Sequence, residues 1–408
     1  MLFTFVILFL TLGCDLAYGQ GEEGNEKEEV TVTLDFSKKG AFGLKNNTSQ
    51  SVLTNITFKV QDLSVSLYGM TCHFEGTNTY LRLDGNNNNN PGQISISVPN
   101  PAVIKSATLG TNRYKITNLH AKYTYNGKEK DEEISVKANK TATVSSINSN
   151  NVSFIEKGSY QSFITTITLT ITRPKLDATL DEKGENVEST ISEIVGENKT
   201  LALNRTFNPS QLYTMCLPFD LSKEMITEIF GNETKVFLYD GYQDGELSFS
   251  TVKEGVLNAG MPFLMRSEYY VEQPTFAGVT VESTTAQTVG GGEWDLCGTF
   301  GSYELAADGT QLFLIADGTL AKPKAESRKM RGFRCYLQKH TGTVNGSAQL
   351  PSVTIDGETN AIKTAEYAAP TSATTAYSLS GMKLNAGCKT ANGGIMIIDG
   401  KKFITTNR

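Results

Sequence analysis

Apolar and polar residues alternate along much of the chain from Val30 onward. Val30, Val32 and Leu34 are separated by threonines, and a similar spacing recurs in later segments: 56–60, 63–67, 94–98, 121–125 and, less regularly, 164–171. Because successive side chains of a strand point to opposite faces, this spacing predicts strands with one buried face. Many short strands of this kind predict a β-sandwich over residues 30–173.

Turn sequences separate these predicted strands. Asp84-Gly85 and Asn126-Gly127 are typical hairpin turns, and the run Asn86–Asn90 ends in Pro91-Gly92. The asparagine run lies between Leu83 and Ile94, so we interpret it as a solvated loop between two strands.

The pattern changes after Arg173. Residues 174–200 are polar, with a short helical spacing at Val187, Ile191 and Ile194, and we interpret them as a connector. Strand patterns return over 201–350, where a helix is predicted at Lys223–Phe230. Ser222 caps its start and Gly231 follows its end. Residues 351–375 are interpreted as a linker, and 376–408 as a small β module.

The predicted fold class is therefore all-β, with two β-sandwich domains (jelly-roll or Ig-like) and a short C-terminal β tail. Thr, Ser, Asn, Gly, Val and Ile are abundant, which fits this class. The formal net charge of -6 over 408 residues argues against nucleic acid as a partner, because such proteins carry a basic surface.

The N-terminal segment predicts export. Leu2–Leu12 is apolar but too short to cross a bilayer, and Ala17-Tyr18-Gly19 provides small residues for cleavage, so residues 1–19 are interpreted as a signal peptide. Lipidation at Cys14 is the alternative, and membrane attachment is expected only in that case. Residues 20–29 are an acidic linker.

Cysteines and histidines indicate no reactive site. The six cysteines are scattered, and we expect buried free thiols. None of the three histidines has a second histidine at metal-ligand spacing. Cys72 and His73 are neighbours on a predicted strand and point to opposite faces, so they cannot pair as nucleophile and base.

Two residue sets are candidates for binding. Aromatic residues that could form a sugar-stacking platform, or belong to the core, are Tyr269, Tyr270, Trp294, Tyr303 and Tyr336. Asp240, Asp244 and Glu246 are weak candidates for a calcium loop, against which Asp244-Gly245 fits a tight turn. No metal or other cofactor is expected. Catalytic carboxylate pairs are recognised by their separation in space, which sequence does not supply.

Three separated motifs resemble a β-rich module of exported Bacteroidota proteins. They are Arg205-Thr-Phe through Leu217-Pro-Phe-Asp-Leu221, then Ala259-Gly-Met-Pro-Phe-Leu264, then Met330-Arg-Gly-Phe-Arg-Cys-Tyr336. The resemblance spans about residues 201–350.

The chain end resembles the final hairpins of type IX secretion sorting domains. The matching runs are Ala376-Tyr-Ser-Leu-Ser-Gly-Met-Lys-Leu384 and Gly394-Ile-Met-Ile-Ile-Asp-Gly-Lys-Lys-Phe403. The sorting residues that this resemblance implies are Gly381, Gly394, Asp399, Gly400, Lys401 and Lys402. A hairpin docked on the preceding domain is the alternative. The resemblance implies the secretion machinery as a partner and a secreted or outer-membrane, cell-surface location.

Taken together, these features predict a non-enzymatic surface protein that acts in adhesion, or binds glycans or host proteins through loops at the sandwich edges. A secreted glycosidase or protease with carboxylates assembled by the fold is one alternative. An envelope-structural subunit is the other.

Overall fold

The computed structural model describes residues 26–44, 56–75, 78–85, 91–209, 211–252, 255–282, 285–324, 328–340, 350–360, 376–378, 383–384, 395–398 and 401–404. The chain divides into a unit of residues 1–362 and a unit of residues 363–408.

The larger unit begins with a set of strands that we call the first lobe. They are β1 (Lys27–Asp35), β2 (Ile56–Val60), β3 (Leu63–Tyr68), β4 (Met70–Glu75), β5 (Asn78–Asp84), β6 (Gln93–Ser97), β7 (Val103–Gly110), β8 (Ile116–Tyr125), β9 (Lys128–Val136), β10 (Thr141–Val144), β11 (Asn151–Glu156), β12 (Gln161–Ile164) and β13 (Thr166–Pro174), with a 3-10 turn at Ala41–Gly43.

The second lobe contains the remaining elements of this unit. They are β14 (Ala178–Asp181), α1 (Val187–Glu193), β15 (Gly196–Asn204), β16 (Thr206–Phe207), β17 (Tyr213–Cys216), α2 (Lys223–Phe230), β18 (Lys235–Gln243), β19 (Glu246–Thr251), β20 (Pro262–Arg266), β21 (Tyr270–Glu272), β22 (Thr275–Val281), β23 (Thr288–Val289), β24 (Trp294–Thr299), β25 (Tyr303–Glu304), β26 (Gln311–Leu314), β27 (Leu320–Ala321), β28 (Lys329–Met330), β29 (Arg334–Lys339), β30 (Ser352–Ile355) and β31 (Glu358–Asn360).

The first lobe is a sandwich, as the alternating pattern predicted. One sheet has the order β1-β13-β7-β10, and the facing sheet includes β2-β3-β6-β11-β8-β9. Both contribute to one apolar core. Val32 and Leu34 pair with Leu169 and Ile167, and all four side chains are buried while the threonines between them face outward. The prediction of an all-β sandwich-type fold is confirmed.

Strand β1 starts within the segment expected to be a linker over 20–29. Glu28 pairs with Arg173 in the β1–β13 ladder, and the Arg173 Nε donates to Glu28 Oε1 at 2.9 Å. Glu28 and Glu26 thus have basic partners in Arg173 on β13 and Lys175 just beyond it, a pairing between distant segments that composition does not reveal.

The second lobe is layered around a sheet with the order β17-β20-β18-β19-β30-β31. Val236 on β18 packs into a core cluster shared with α2 and β15, and Phe237 packs into another shared with β24 and β29. Because both faces are covered, the strands read as continuous apolar runs. Helix α2 has the predicted bounds, and the Ser222 Oγ accepts from the Met225 N–H at 3.2 Å.

Two segments expected to be connectors are parts of the second lobe. Within 174–200 lie β14, α1 and the start of β15, and Leu180, Val187 and Ile191 are buried in its core. Within 351–375, β30 pairs in parallel with β19, from Glu246↔Ser352 to Phe249↔Ile355. Parallel pairing joins segments far apart in sequence, so local turn signals do not announce it.

The lobes share a sheet. β21 pairs in parallel with β2, aligning Lys59 with Val271, and β16 pairs with β21. The sheet therefore continues from the first lobe into the second.

The unit of residues 363–408 contains strands β32 (Ala376–Ser378), β33 (Lys383–Leu384), β34 (Ile395–Ile398) and β35 (Lys401–Ile404), ordered β33-β32-β34-β35. Lys401 and Lys402 lie on β35, opposite Ile398 and Ile397. Gly381, Gly394, Asp399 and Gly400 lie outside the described residues, as do Cys14 and the predicted signal peptide.

Candidate functional site

The junction between the lobes carries a groove. Two adjoining cavities of about 280 Å³ and 250 Å³ share the lining residues Asp62, Pro99, Glu228, Ile229 and Thr275, so we treat them as one interlobe groove. The remaining lining residues are Lys59, Gln61, Ser64, Ser97, Val98, Asn100, Pro101, Ala102, Arg173, Pro174, Leu176, Thr200, Met225, Val271 and Ala277. Concave sites of this kind are common where domains meet.

The walls come from segments that are distant in sequence. The β2–β3 turn provides Asp62, the loop after β6 provides Pro99, and the end of β13 provides Arg173 on the first-lobe side. Helix α2 and the start of β22 provide Glu228 and Thr275 on the second-lobe side. The sheet pairing of β2 with β21 fixes these walls beside each other.

Arg173 holds the acidic side chain of the first wall. Its Nη1 donates to Asp62 Oδ2 at 2.5 Å and its Nε to Glu28 Oε1 at 2.9 Å. Burial lowers the pKa of Arg173, but the two carboxylates outweigh this and raise it. The Asp62 carboxylate is therefore a charge-compensated acceptor within a rigid ion pair.

Lys59 connects the two walls. Its Nζ donates to the backbone oxygen of Glu228, near the C-terminal end of α2. Burial lowers the pKa of Lys59, and the Glu228 carboxylate partly offsets this. A cation at a helix C-terminus is favourable because the carbonyl groups there have no partners within the helix.

Thr275 provides a hydrogen-bonding group that is still free. Its Oγ1 is buried and has no hydrogen-bond partner among the described residues, yet Thr275 lines both cavities. A buried hydroxyl without a partner is costly, which singles out Thr275 among the lining residues of the groove.

The predicted aromatic platform does not form as a set. Trp294 is only 4% exposed and lies in the core of the second lobe, because it is on the inward face of β24. Tyr270 packs against Phe42 with ring centroids 6.1 Å apart, and Tyr269 is half-buried against the second-lobe core.

The other two predicted aromatic residues form a surface pair. Tyr303 is 38% exposed and stacks on Tyr336 with ring centroids 4.9 Å apart. Among the tyrosines proposed to bind a ligand, Tyr303 is exposed, whereas Tyr269 and Tyr270 are partly buried.

The acidic group near residue 244 belongs to a hairpin. Gln243 pairs with Glu246, and Asp244 and Gly245 have φ values of 52° and 88°, as a two-residue turn requires. The Asp240 Oδ1 accepts from the Ser250 hydroxyl at 2.8 Å. In the described parts of the chain, no group of three His, Cys, Asp or Glu side chains could hold a metal ion.

The described cysteines are buried free thiols, as predicted. They are Cys216, Cys297 and Cys335. Burial raises the pKa of all three, that of Cys216 to about 12, which disfavours the reactive thiolate form. His120 pairs with Asp131 at 2.6 Å and His340 pairs with Asp295. The side chains of Cys72 and His73 lie outside the description.

A buried ion cluster holds together the motifs that carry the family resemblance. Glu182 lies within 2.7 Å of Arg331, 2.6 Å of Arg334 and 3.6 Å of Arg205. Arg205 also donates to the backbone oxygens of Thr214 and Phe333.

The charged groups in this cluster shift one another's pKa values. Burial, followed by the charge of Arg334, lowers the pKa of Arg205 to about 9. Burial raises the pKa of Glu182, but the nearby arginines have the larger effect, so its pKa is lowered overall. The basic residues of these motifs thus join three backbone segments. Sequence reasoning missed Glu182 because it lies in the supposed connector.

Glu156 is a second buried charge that the sequence analysis missed. Its side chain is fully buried, and neither carboxyl oxygen has a hydrogen-bond partner among the described residues. The pKa of Glu156 is raised to about 7. Burial is the largest cause, the charge of Asp84 acts in the same direction, and the Ser162 hydroxyl acts in the opposite direction. Glu156 follows Val152 and Phe154 on the inward face of β11, and this alternation was a signal for its burial.

Compared with known proteins, the chain matches no family model, and no curated protein is significantly similar to it. Within the described residues, no helix is long and apolar enough to cross a membrane. The site must therefore be interpreted from its own geometry.

Proposed function

We propose that this chain is an exported, non-catalytic binding protein of the cell surface, and that the interlobe groove is its ligand site. The observation that carries the proposal is the buried Thr275 hydroxyl, without a partner among the described residues, in a groove built from both lobes. Export rests on the apolar segment at 2–12 and on the resemblance of the chain end to sorting domains.

One observation favours a hydrolase as the second candidate, since Asp62 and Glu228 line the same groove. A glycosidase needs one carboxylate as a nucleophile or base and another as a proton donor. The Arg173 Nη1 donates to Asp62 Oδ2 at 2.5 Å and so occupies one of the two carboxylate oxygens. This pairing makes Asp62 a poor nucleophile and supports binding rather than turnover.

The test is an array of glycans and extracellular-matrix proteins probed with the purified chain, together with product analysis on the ligands that bind. The proposal expects binding without turnover. Release of cleaved products, abolished by Asp62→Asn, would replace it with the hydrolase. Absence of binding to every array member would refute the ligand-site proposal.

Export needs a separate test. Mass spectrometry of the mature termini from the native source should find cleavage after Gly19, and a chain processed at its C-terminal module. A lipid on Cys14 would instead identify an anchored form. An intact leader on a cytosolic chain would contradict export.

A further inference from the structure

Building on the proposed function, we propose that the interlobe groove binds a neutral, hydroxyl-rich ligand, namely a short saccharide, and that Thr275 is a residue that determines this specificity. Three features of the groove lead to this class of ligand: compensated charges, neutral polar groups and apolar side chains beside them.

The charges of the groove are compensated before any ligand arrives. Arg173 is shared between Asp62 and Glu28, and Lys59 lies against the C-terminal end of α2 with Glu228 nearby. An ionic ligand would be desolvated here and would compete with these existing pairs, which is costly. A neutral ligand avoids that cost.

Neutral polar groups line the space between these pairs. Thr275 lines both cavities, and its Oγ1 is buried without a partner among the described residues. Further hydroxyl and amide groups come from Ser64, Ser97 and Gln61 on the opposite wall. Hydroxyl groups of a sugar both donate and accept, so they can satisfy Thr275 in either role.

Apolar patches complete the lining. Pro99, Pro101 and Ile229 line the groove beside the polar groups, and they can cover the C–H surfaces of a sugar ring. The cavity volumes of about 280 Å³ and 250 Å³ lie just below the range of roughly 300–1,000 Å³ for small-molecule sites. A ligand of a few sugar units therefore fits better than a protein surface.

The experiment measures Kd by calorimetry for a panel of neutral di- to tetrasaccharides and for matched sulfated or sialylated forms. The variant is Thr275→Val, which replaces the hydroxyl by a methyl group of similar size. The control is Thr280→Val, an exposed threonine on the same strand β22. Loss of one hydrogen bond should weaken neutral-sugar binding roughly three- to tenfold in Thr275→Val and leave Thr280→Val unchanged.

A measurement on the unaltered chain makes the test independent of how the variant folds. Amide hydrogen exchange with the tightest neutral sugar should slow at residues 97–102 and 271–277. Protection confined to another surface, or equal binding by Thr275→Val and the unaltered chain, would overturn the saccharide site while leaving a binding function in place. Binding of anionic forms alone would overturn the ligand class. Absence of binding to the saccharide panel and to the wider array would overturn the proposed function as well.

Discussion

Glu156 offers the sharpest test of the first-lobe core. It lies at the end of β11 and faces the sandwich interior, fully buried. The groups near it are the Ser162 hydroxyl and the charge of Asp84, which is itself paired with Arg82 at 3.1 Å. Replacing Glu156 by glutamine keeps the shape of the side chain and removes its ability to ionise.

The expected magnitude follows from the pKa shift. Burial raises the pKa of Glu156 from 4.5 to about 7. Each pKa unit corresponds to about 1.36 kcal/mol, so the full difference is about 3.4 kcal/mol. The folded state binds the proton more tightly than the unfolded state. The contribution of the protonated Glu156 carboxyl group to stability is therefore fully present below pH 4.5 and is lost as the pH rises through about 7.

The assay is urea unfolding followed by circular dichroism, at pH 5 and pH 8, on the unaltered chain and on Glu156→Gln. Relative to the variant, the unaltered chain should lose about 2.5 kcal/mol of unfolding free energy between these pH values. Other titrating groups are common to both proteins and cancel in the difference. Glu129→Gln, an exposed position on the charged edge strand β9, is the matched control and should follow the unaltered chain.

A difference between the unaltered chain and Glu156→Gln that does not depend on pH would refute the reasoning. It would mean that the carboxyl group ionises normally and that its surroundings hydrate it. Fluorescence of Trp294 provides an internal check, because that residue lies in the second-lobe core. If the lobes unfold separately, its transition should show no dependence on residue 156.

Three further predictions concern the second lobe. Glu182→Ala leaves the buried Arg205 without its counter-charge and should destabilise the chain by about 3–5 kcal/mol in urea unfolding, whereas exposed Glu197→Ala should have little effect. An equal effect of both would contradict the cluster. Because the pKa of Glu182 is lowered, its contribution should be present at neutral pH and lost as the pH falls through the folded-state pKa. Thiol labelling with mass spectrometry should find Cys216, Cys297 and Cys335 protected in the native state and labelled in denaturant. Labelling of the native protein at these cysteines would argue against their burial. Gly332→Ala should lower stability by about 1–3 kcal/mol, since its Cβ would overlap the Phe300 carbonyl oxygen, while Gly290→Ala has room and serves as the control in the same melting experiment.

Local patterns were enough to predict several of the strands and α2. The alternation at Val30–Leu34 defines one face of β1, and Ser222 with Gly231 defines both ends of the helix. Asp244-Gly245 forms the predicted hairpin turn. Each of these signals depends on residues a few positions apart, and such contacts survive any arrangement of the rest of the chain.

Local patterns could not predict the candidate site, because it depends on pairings between segments that are distant in sequence. Asp62, Arg173 and Thr275 are brought to one groove only by the β2–β21 ladder and by the β1–β13 ladder. The tyrosine and tryptophan set was proposed from residue type alone. Because Trp294 is buried and Tyr303 is exposed, the set does not form one surface. By contrast, Glu156 could have been found, since it continues an inward alternation.

The shared sheet also explains why the groove suits binding. Its first-lobe wall is anchored by Arg173, which holds both the β2–β3 turn and β1, and its second-lobe wall is held by Lys59 on the end of α2. Polar groups that are fixed before a ligand arrives lose little conformational entropy on binding. Arg173 also occupies Oδ2 of Asp62, so a substrate at that oxygen would have to displace the guanidinium. The compensated charges of the groove and the buried Thr275 hydroxyl are therefore the features on which the proposal of a neutral ligand depends.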